Sequence, residues 1–509
     1  METTRGIFRS ILNWVGRLAL VLVLALAGLW IAILVPRAYY RRQAAKPSSA
    51  FIVEDAPVIA LIHARVIDGT GSPAMDDQTI VISGGKIVAF GASSATQVPQ
   101  QARVMDASRK TIIPGLVMMH EHLYTTSSSI TAAIHHRPEL LQESLAFPLM
   151  YLAAGVTTIR TAGSIDGGGD LAVKHAIDAG QRPGPEIYLT APYLEGKPSP
   201  ESAPRYYPQM RILKDAEDAR HTVDLWASKG MTSFKAYMNI TPEELKAAID
   251  EAHRKNLKIT GHLCSVGFTE AADLGIDNIE HGLPLDEEFF PDKLPGVCPD
   301  LLKAMPFFDS RLDVNRADVR AMTRHLVDKG VAITSTLAVA EDFTGAPQPL
   351  SSMADREQRA LGWRSWLMYR MIRSQFQKHP FPHLLSKEMQ FERDFVASGG
   401  LLLAGCDPTG DGGTLAGYGD QREIELLVQA GFSPVEAIHI ATENGAKFLG
   451  QSGRIGTIAV GKQADLVVIA GDPSKQISDI RGVEVVFKKG VGYSSPKLFR
   501  AVSGLVGVE

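Results

Sequence analysis

Between Gly115 and about Gly450, short apolar runs alternate with longer segments of helical period, and this alternation constrains the fold more than any other feature of the chain. Eight of the runs read as strands: LVMMH, VTTIR, EIYLT, SFKAY, KITGH, NIEH, VAITST and LLLAG. Each is followed by a loop, and most then by a helical stretch such as TPEELKAAIDEAHRKN. Repeated strand–helix units imply a parallel sheet. Eight of them suit an α/β fold of the (β/α)8 TIM-barrel type.

The flanks have a different texture. After the polar linker RRQAAKPSSA, the stretch VIALIHARVIDGTGSPAMDDQTIVISGGKIVAFG mixes short β-branched runs with Gly, Pro and Asp turn signals. GRIGTIAVGKQADLVVIAGDP and GVEVVFKKG repeat that texture near the end, so the two ends of the chain are expected to complete one small β-sandwich. The expected order is a basic segment 1–17, an apolar span 18–35, a linker 36–56, a first sandwich segment 57–114, the barrel 115–450, a second sandwich segment 451–495 and a tail 496–509. Two stretches exceed the minimal unit, Glu195 to Ala219 and Asp342 to Lys387, and are expected to cover the barrel mouth as substrate-shaping loops.

The apolar run LALVLVLALAGLWIAILV, residues 18–35, is about long enough to cross a bilayer as a helix. A cleaved signal peptide would need small residues after it, where Arg37, Arg41 and Arg42 stand instead, so an uncleaved single-pass anchor is expected. Arg5, Arg9 and Arg17 precede the span, and a short basic N-terminus usually stays inside. The catalytic domain is then expected outside the membrane, in a bacterium the periplasm. A formal net charge of −4 with mixed signs gives no basic field for nucleic acid, and that class is set aside. The three cysteines, Cys264, Cys298 and Cys406, are too few for a disulfide framework and lack paired metal-ligand spacing.

The residues able to do chemistry gather at the C-terminal ends of the expected strands, where barrel active sites form. In PGLVMMHEH, His120 and His122 are two apart, and such side chains on a strand point the same way, so both imidazoles can reach one metal. His262 closes KITGH and His281 closes NIEH. Asp407 follows the apolar strand LLLAG, at the rim of the core, where a carboxylate without a partner is costly; a turn aspartate before Pro408 fits the same letters. Four histidines at three strand ends with an aspartate at a fourth are hard to explain as packing.

Lys235 in SFKAYM sits within a strand that a barrel buries on both faces. A buried ammonium beside divalent cations is strongly disfavoured. Carbon dioxide would convert such a lysine to a carbamate with two oxygens able to bridge two metals; a side chain snorkelling from the strand end is the alternative.

On PGLVMMHEH, GVTTIR, SFKAYM, ITGH, GIDNIEHG, LLLAGCD and the run SPVEAIHIATENGAKFLG…GRIGTIAVGKQADLVVI, the chain resembles the amidohydrolase superfamily over roughly Pro57 to Gly490. The likeness is to its two-metal branch with a bridging carboxylated lysine, with hydantoinase-like, imidazolonepropionase-like and prolidase-like features. It implies that His120, His122 and Asp407 ligate the more buried metal, that His262 and His281 ligate the other, and that Lys235, as N6-carboxylysine, bridges them. Met118 and Thr161 stand where members often carry aspartates.

The expected reaction is hydrolysis of an amide, peptide-like or cyclic amide bond in a small-molecule substrate, by a water activated between two divalent cations, with zinc as the default. Asp407 would serve as general acid and base, and Tyr237 could hydrogen-bond the developing oxyanion. Arg160, Arg205 or Arg211 could hold a substrate carboxylate. The rivals are ester, lactone or phosphotriester hydrolysis at the same site, single-metal deamination without Lys235, and a membrane-tethered binding protein without catalysis. Homo-oligomerisation is left open.

Overall fold

The computed structural model describes residues 14–24, 38–126, 140–198, 210–345, 359–409 and 414–507. The chain enters through β1 (Ile52–Glu54), β2 (Val58–Val66), β3 (Met75–Ser83), β4 (Lys86–Ala92), β5 (Arg103–Asp106) and β6 (Lys110–Pro114). β7 (Leu116–Glu121) begins the central region, and a small hairpin of β8 (Tyr124–Thr126) and β9 (Leu140–Gln142) follows it. Then come β10 (Val156–Thr161), β11 (Glu186–Tyr188), β12 (Ser233–Ala236), β13 (Lys258–Gly261), β14 (Asn278–Glu280), β15 (Ala332–Ser335) and β16 (Leu402–Ala404), with helices between them. The chain returns to the first sheet through β17 (Leu466–Ala470), β18 (Val483–Lys488) and β19 (Val491–Ser494).

Each of the eight apolar runs expected to be strands contains one. They pair in parallel in the orders β11–β10–β7 and β12–β13–β14–β15–β16. A parallel bridge between Thr190 and Ser233 carries the first group to the second. At the other side the Asp407 amide donates to the His120 carbonyl at 3.0 Å, so β16 runs beside β7. The result is a TIM-barrel-like α/β arrangement. Every residue of β7, β10 and β12 is buried, which explains why these strands read as continuous runs rather than alternating ones.

The helices are locally specified. In Pro242–Arg254, Thr241 and Glu244 form a reciprocal capping box and Pro242 occupies the first turn, where its missing N–H costs nothing. Helix faces bury Leu245, Phe268, Phe391 and Phe395 against the strands in one continuous core.

The two ends of the chain come together in one nine-stranded sheet, β1–β19–β18–β17–β6–β2–β3–β4 with β5 on β2, which folds back until the β3–β4 turn meets the segment before β17, the Ala464 amide donating to the Gly85 carbonyl at 2.9 Å. β6 is the seam, antiparallel to β17 and parallel to β2, and Ile59, Leu61, Ile112, Leu466 and Phe487 share its core. The membrane anchor and the outward location it implied are corrected: no helix among the described residues is long and apolar enough to cross a membrane. Residues 25–35 of the expected span lie outside the described residues.

The cysteines, read as too few for a disulfide framework, include one bonded pair, Cys264–Cys298, with Cα atoms 4.9 Å apart and a sequence separation of 34. Of the two mouth segments, residues 199–209 and 346–358 lie outside the described residues. The remainder of the second segment is largely helical, in Leu337–Phe343 and Trp363–Lys378.

Candidate active site

β7 ends in His120 and Glu121, and its extended backbone turns His120 and His122 to the same interior side. Lys235 lies in β12, also inward and buried, with its Nζ 3.2 Å from His120 Nε2. His262 follows β13 and His281 follows β14. Asp407 follows β16 and reaches across: its Oδ1 lies 3.1 Å from His122 Nε2 and 3.7 Å from His120 Nε2, and its Oδ2 lies 3.8 Å from His281 Nδ1. The His281 ring is centred 4.4 Å from that of His120 and 4.6 Å from that of His262. All six residues singled out from the strand ends therefore meet in one place.

Two of them depend on an unusual backbone. His281 has φ 69° and Asp407 φ 53°, the left-handed region that non-glycine residues enter at a cost. In an ordinary strand Glu280 and His281 would face opposite sides. The left-handed turn lets both contact His120: Glu280 Oε2 lies 2.7 Å from His120 Nδ1, while the His281 ring packs on the His120 ring.

Glu280 escaped the sequence reading, although the argument applied to Asp407, that a carboxylate in an apolar strand needs a partner, would have found it. Arg160 completes this layer. Its Nη2 donates to Glu280 Oε1 at 2.8 Å and its Nε to the Met119 carbonyl at 2.8 Å. Thr336 does for His281 what Glu280 does for His120, with its Oγ1 2.9 Å from His281 Nδ1. Each contact uses one ring nitrogen and leaves Nε2 as the outward donor of that imidazole.

A tyrosine wall borders the histidines. The Tyr124 ring lies 4.5 Å from that of His122, Tyr237 lies 4.9 Å from His262 and 4.8 Å from Tyr193, and the hydroxyls of Tyr124 and Tyr193 meet. Tyr124 and Tyr193 carry no pattern that marks them in sequence, since both stand in loops or short strands after the barrel strands.

Of the arginines read as carboxylate binders, Arg160 is buried beneath the histidines and holds Glu280. Arg211 is half exposed and engages Asp218 and, at 2.8 Å, the Thr222 hydroxyl. Arg205 lies outside the described residues.

Burial dominates the electrostatics. It pushes the His120 imidazole down to about 4, helped by the Lys235 charge and opposed by Glu280. Burial likewise lowers His122, His262 and His281, so four neutral rings present lone pairs near pH 7. Burial brings the Lys235 ammonium down to about 8 against the attraction of Glu280 and Asp407. For Asp407 burial acts upward, but the surrounding imidazoles, His120 first, outweigh it and hold the carboxyl well below its ordinary range.

Neutral imidazoles facing a carboxylate make a donor set suited to a divalent cation. Donor atoms of His120, His281 and Asp407 all lie within 4.8 Å of one another. The residues present thus fit a metal ion.

Residues 111–491 match the model of the Amidohydrolase family. The ochratoxinase of Aspergillus niger is 23% identical over 489 residues, covering 87% of this chain and 88% of the relative. Among solved structures, one from Bifidobacterium longum assigned as a prolidase is 26% identical with a TM-score of 0.61, covering 87% of this chain and 95% of its own. A Xaa-Pro dipeptidase with bound methionine has a TM-score of 0.63 at 19% identity, over 86% of this chain and all of the other, and shares the fold.

Proposed function

The chain belongs to the amidohydrolase family, and from that premise we propose that it hydrolyses amide bonds of small N-acyl amino acids or dipeptides at a two-cation centre. His120, His122 and Asp407 would hold one ion, His262 and His281 the other, and a carboxylated Lys235 both. The observation that carries this reading is the convergence of six side chains from five strand ends, with Lys235 Nζ 3.2 Å from His120 and Asp407 Oδ1 3.1 Å from His122. The names of the relatives, an ochratoxinase and a Xaa-Pro dipeptidase, support the substrate class.

Divalent cations bound there, zinc by default, would make a water acidic enough to ionise near neutral pH and would polarise a carbonyl. The chain's own residues do the rest. Asp407 accepts the proton of the attacking water on a carboxylate oxygen and passes it to the leaving amine. The Tyr237 hydroxyl, on the same side as Lys235, donates to the carbonyl oxygen as negative charge grows there. Lys235 is suited to carboxylation because burial favours its neutral amine. That amine adds to the carbon of carbon dioxide, one proton leaves, and an anionic carbamate with two oxygens remains.

The test is metal analysis of protein purified without chelator, together with turnover of a panel of dipeptides, N-acyl amino acids, esters, lactones, phosphotriesters and amine-bearing rings. About two ions per chain and amide turnover are expected, with Lys235→Ala losing at least ~100-fold in rate. Turnover of esters or phosphotriesters alone would sink the amide reading. Full activity in Lys235→Ala with ammonia release would favour single-metal deamination. Less than one ion per chain and no turnover would favour a binding protein.

A further inference from the structure

Glu121 stands between the two histidines of HEH, and its side chain turns the other way, out of the barrel interior. It is fully buried. Its Oε1 accepts from the Cys406 backbone N–H at 3.0 Å, and its Oε2 lies 3.3 Å from Cys406 Sγ, which donates to it. Cys406 immediately precedes Asp407, so one carboxylate on β7 grips the peptide that carries the candidate ligand from β16.

The rest of this outer face is fitted around that grip. Asp420 lies in the first turn of helix Tyr418–Gln429, accepts from the Gly417 amide at 2.7 Å, and brings an oxygen within 4.8 Å of the donor atoms of both Glu121 and Cys406. A Cβ on Gly419 would come within 3.0 Å of Cys406 Sγ, so only glycine lets the helix approach this closely. The Tyr151 hydroxyl donates to the His122 carbonyl at 2.8 Å and lies 3.2 Å from the His122 amide, clamping the backbone of the neighbouring ligand.

Three acidic or thiol groups this close could suggest a second metal centre. The hydrogen bonds point elsewhere: Cys406 already spends both its N–H and its S–H on Glu121.

We propose that Glu121 is a positioning residue, which sets Asp407 against His120 and His122 by holding Cys406, the residue before the left-handed Asp407, in place. The inference rests on the metal-centre reading above and deepens it. Asp407 at φ 53° occupies a backbone conformation that must be over-determined by its surroundings, and the grip on Cys406 supplies that determination from outside the barrel, while the Asp407 amide bond to the His120 carbonyl supplies it from inside.

The experiment uses the full chain loaded with cobalt, whose visible spectrum reports ligand geometry without any need for turnover. Glu121→Ala is expected to keep its helical circular dichroism, to change the cobalt spectrum, and to lose metal affinity about 10–100-fold, as supporting partners of ligands do. Glu121→Gln keeps an acceptor for the Cys406 N–H and is expected to restore the wild-type spectrum, with affinity within about threefold, which a loss of mere bulk or charge would not predict. An unaltered spectrum and affinity in Glu121→Ala overturns the proposal.

If Glu121→Ala does not fold, Cys406→Ala and Glu121→Leu decide together. Cys406→Ala removes only the thiol donor and leaves the backbone bond to Glu121, whereas Glu121→Leu keeps bulk but offers the Cys406 N–H no acceptor. An altered cobalt spectrum in Glu121→Leu with a near-wild-type one in Cys406→Ala supports the proposal, and a wild-type spectrum in Glu121→Leu overturns it. Wild-type protein that takes up no cobalt overturns the metal-centre reading and this proposal together. Uptake by wild type with an indifferent Glu121→Ala overturns this proposal alone.

Discussion

Glu280 is the residue whose removal should cost most outside the six candidate ligands, because it satisfies His120 and Arg160 at once. Replacing it by alanine frees the His120 ring and leaves the Arg160 guanidinium buried with fewer acceptors. The expected results are a loss of metal affinity of about 10–100-fold and a loss of stability of about 3–5 kcal/mol, read by chelator competition and urea unfolding.

Glu195 makes a different prediction. Burial raises its carboxyl from 4.5 to about 7 despite an accepted bond of 2.8 Å from the Asn239 amide. The folded state then holds a proton that the unfolded state has released between those values. Stability from this group is present below pH 4.5 and is lost as pH rises through about 7, amounting to about 3 kcal/mol. Glu195→Gln should lack that term, so its melting temperature relative to wild type should rise between pH 5 and 8. A constant difference across that range would refute the assignment.

Among the elements, β16 approaches β7 more closely than side chains allow. A Cβ on Gly405 would lie 2.4 Å from the His120 backbone nitrogen, against atoms that cannot swing aside. Gly405→Ala should therefore cost about 1–3 kcal/mol or more by overpacking and should displace Asp407, lowering metal affinity along with the urea midpoint.

The strands themselves were readable in the letters, because burial on both faces leaves continuous apolar runs that end where chemistry begins. The partners of the ligands were not. Thr336 looks like an ordinary strand-end residue until His281 is brought beside it, and Glu280, whose place in an apolar strand calls for a partner, gives no sign that the partners are His120 and Arg160. The Cys264–Cys298 bond was equally hidden, since two cysteines 34 residues apart carry no signal of proximity. The expected membrane span failed for the opposite reason: an apolar run is a statement about composition, and no described helix has the length to use it.

At the scale of the whole molecule, the two ends of the chain make one sheet, and that sheet is tied to the central strands. Arg454 pairs with Glu186 at 2.7 Å, and Lys488 Nζ donates to the Gly184 carbonyl at 2.6 Å. The unit should unfold as one, giving a single calorimetric transition for the metal-free full chain. A chain ending at residue 482 lacks β18 and β19, which leaves the β17 edge unpaired and removes the buried Val486 and Phe487. It is expected to show no cooperative transition. Two well-separated transitions in the full chain would contradict this coupling.

Local order determined what could be known from the letters alone: periodicity marked eight strands, and residue chemistry marked six side chains at their ends, because both are set by neighbours along the chain. Tertiary structure alone decided the rest. His120 meets Glu280 across 160 positions of sequence, β6 meets β17 from opposite ends of the chain, and His281 and Asp407 adopt left-handed backbone only because the packed strands around them leave no other way to aim inward.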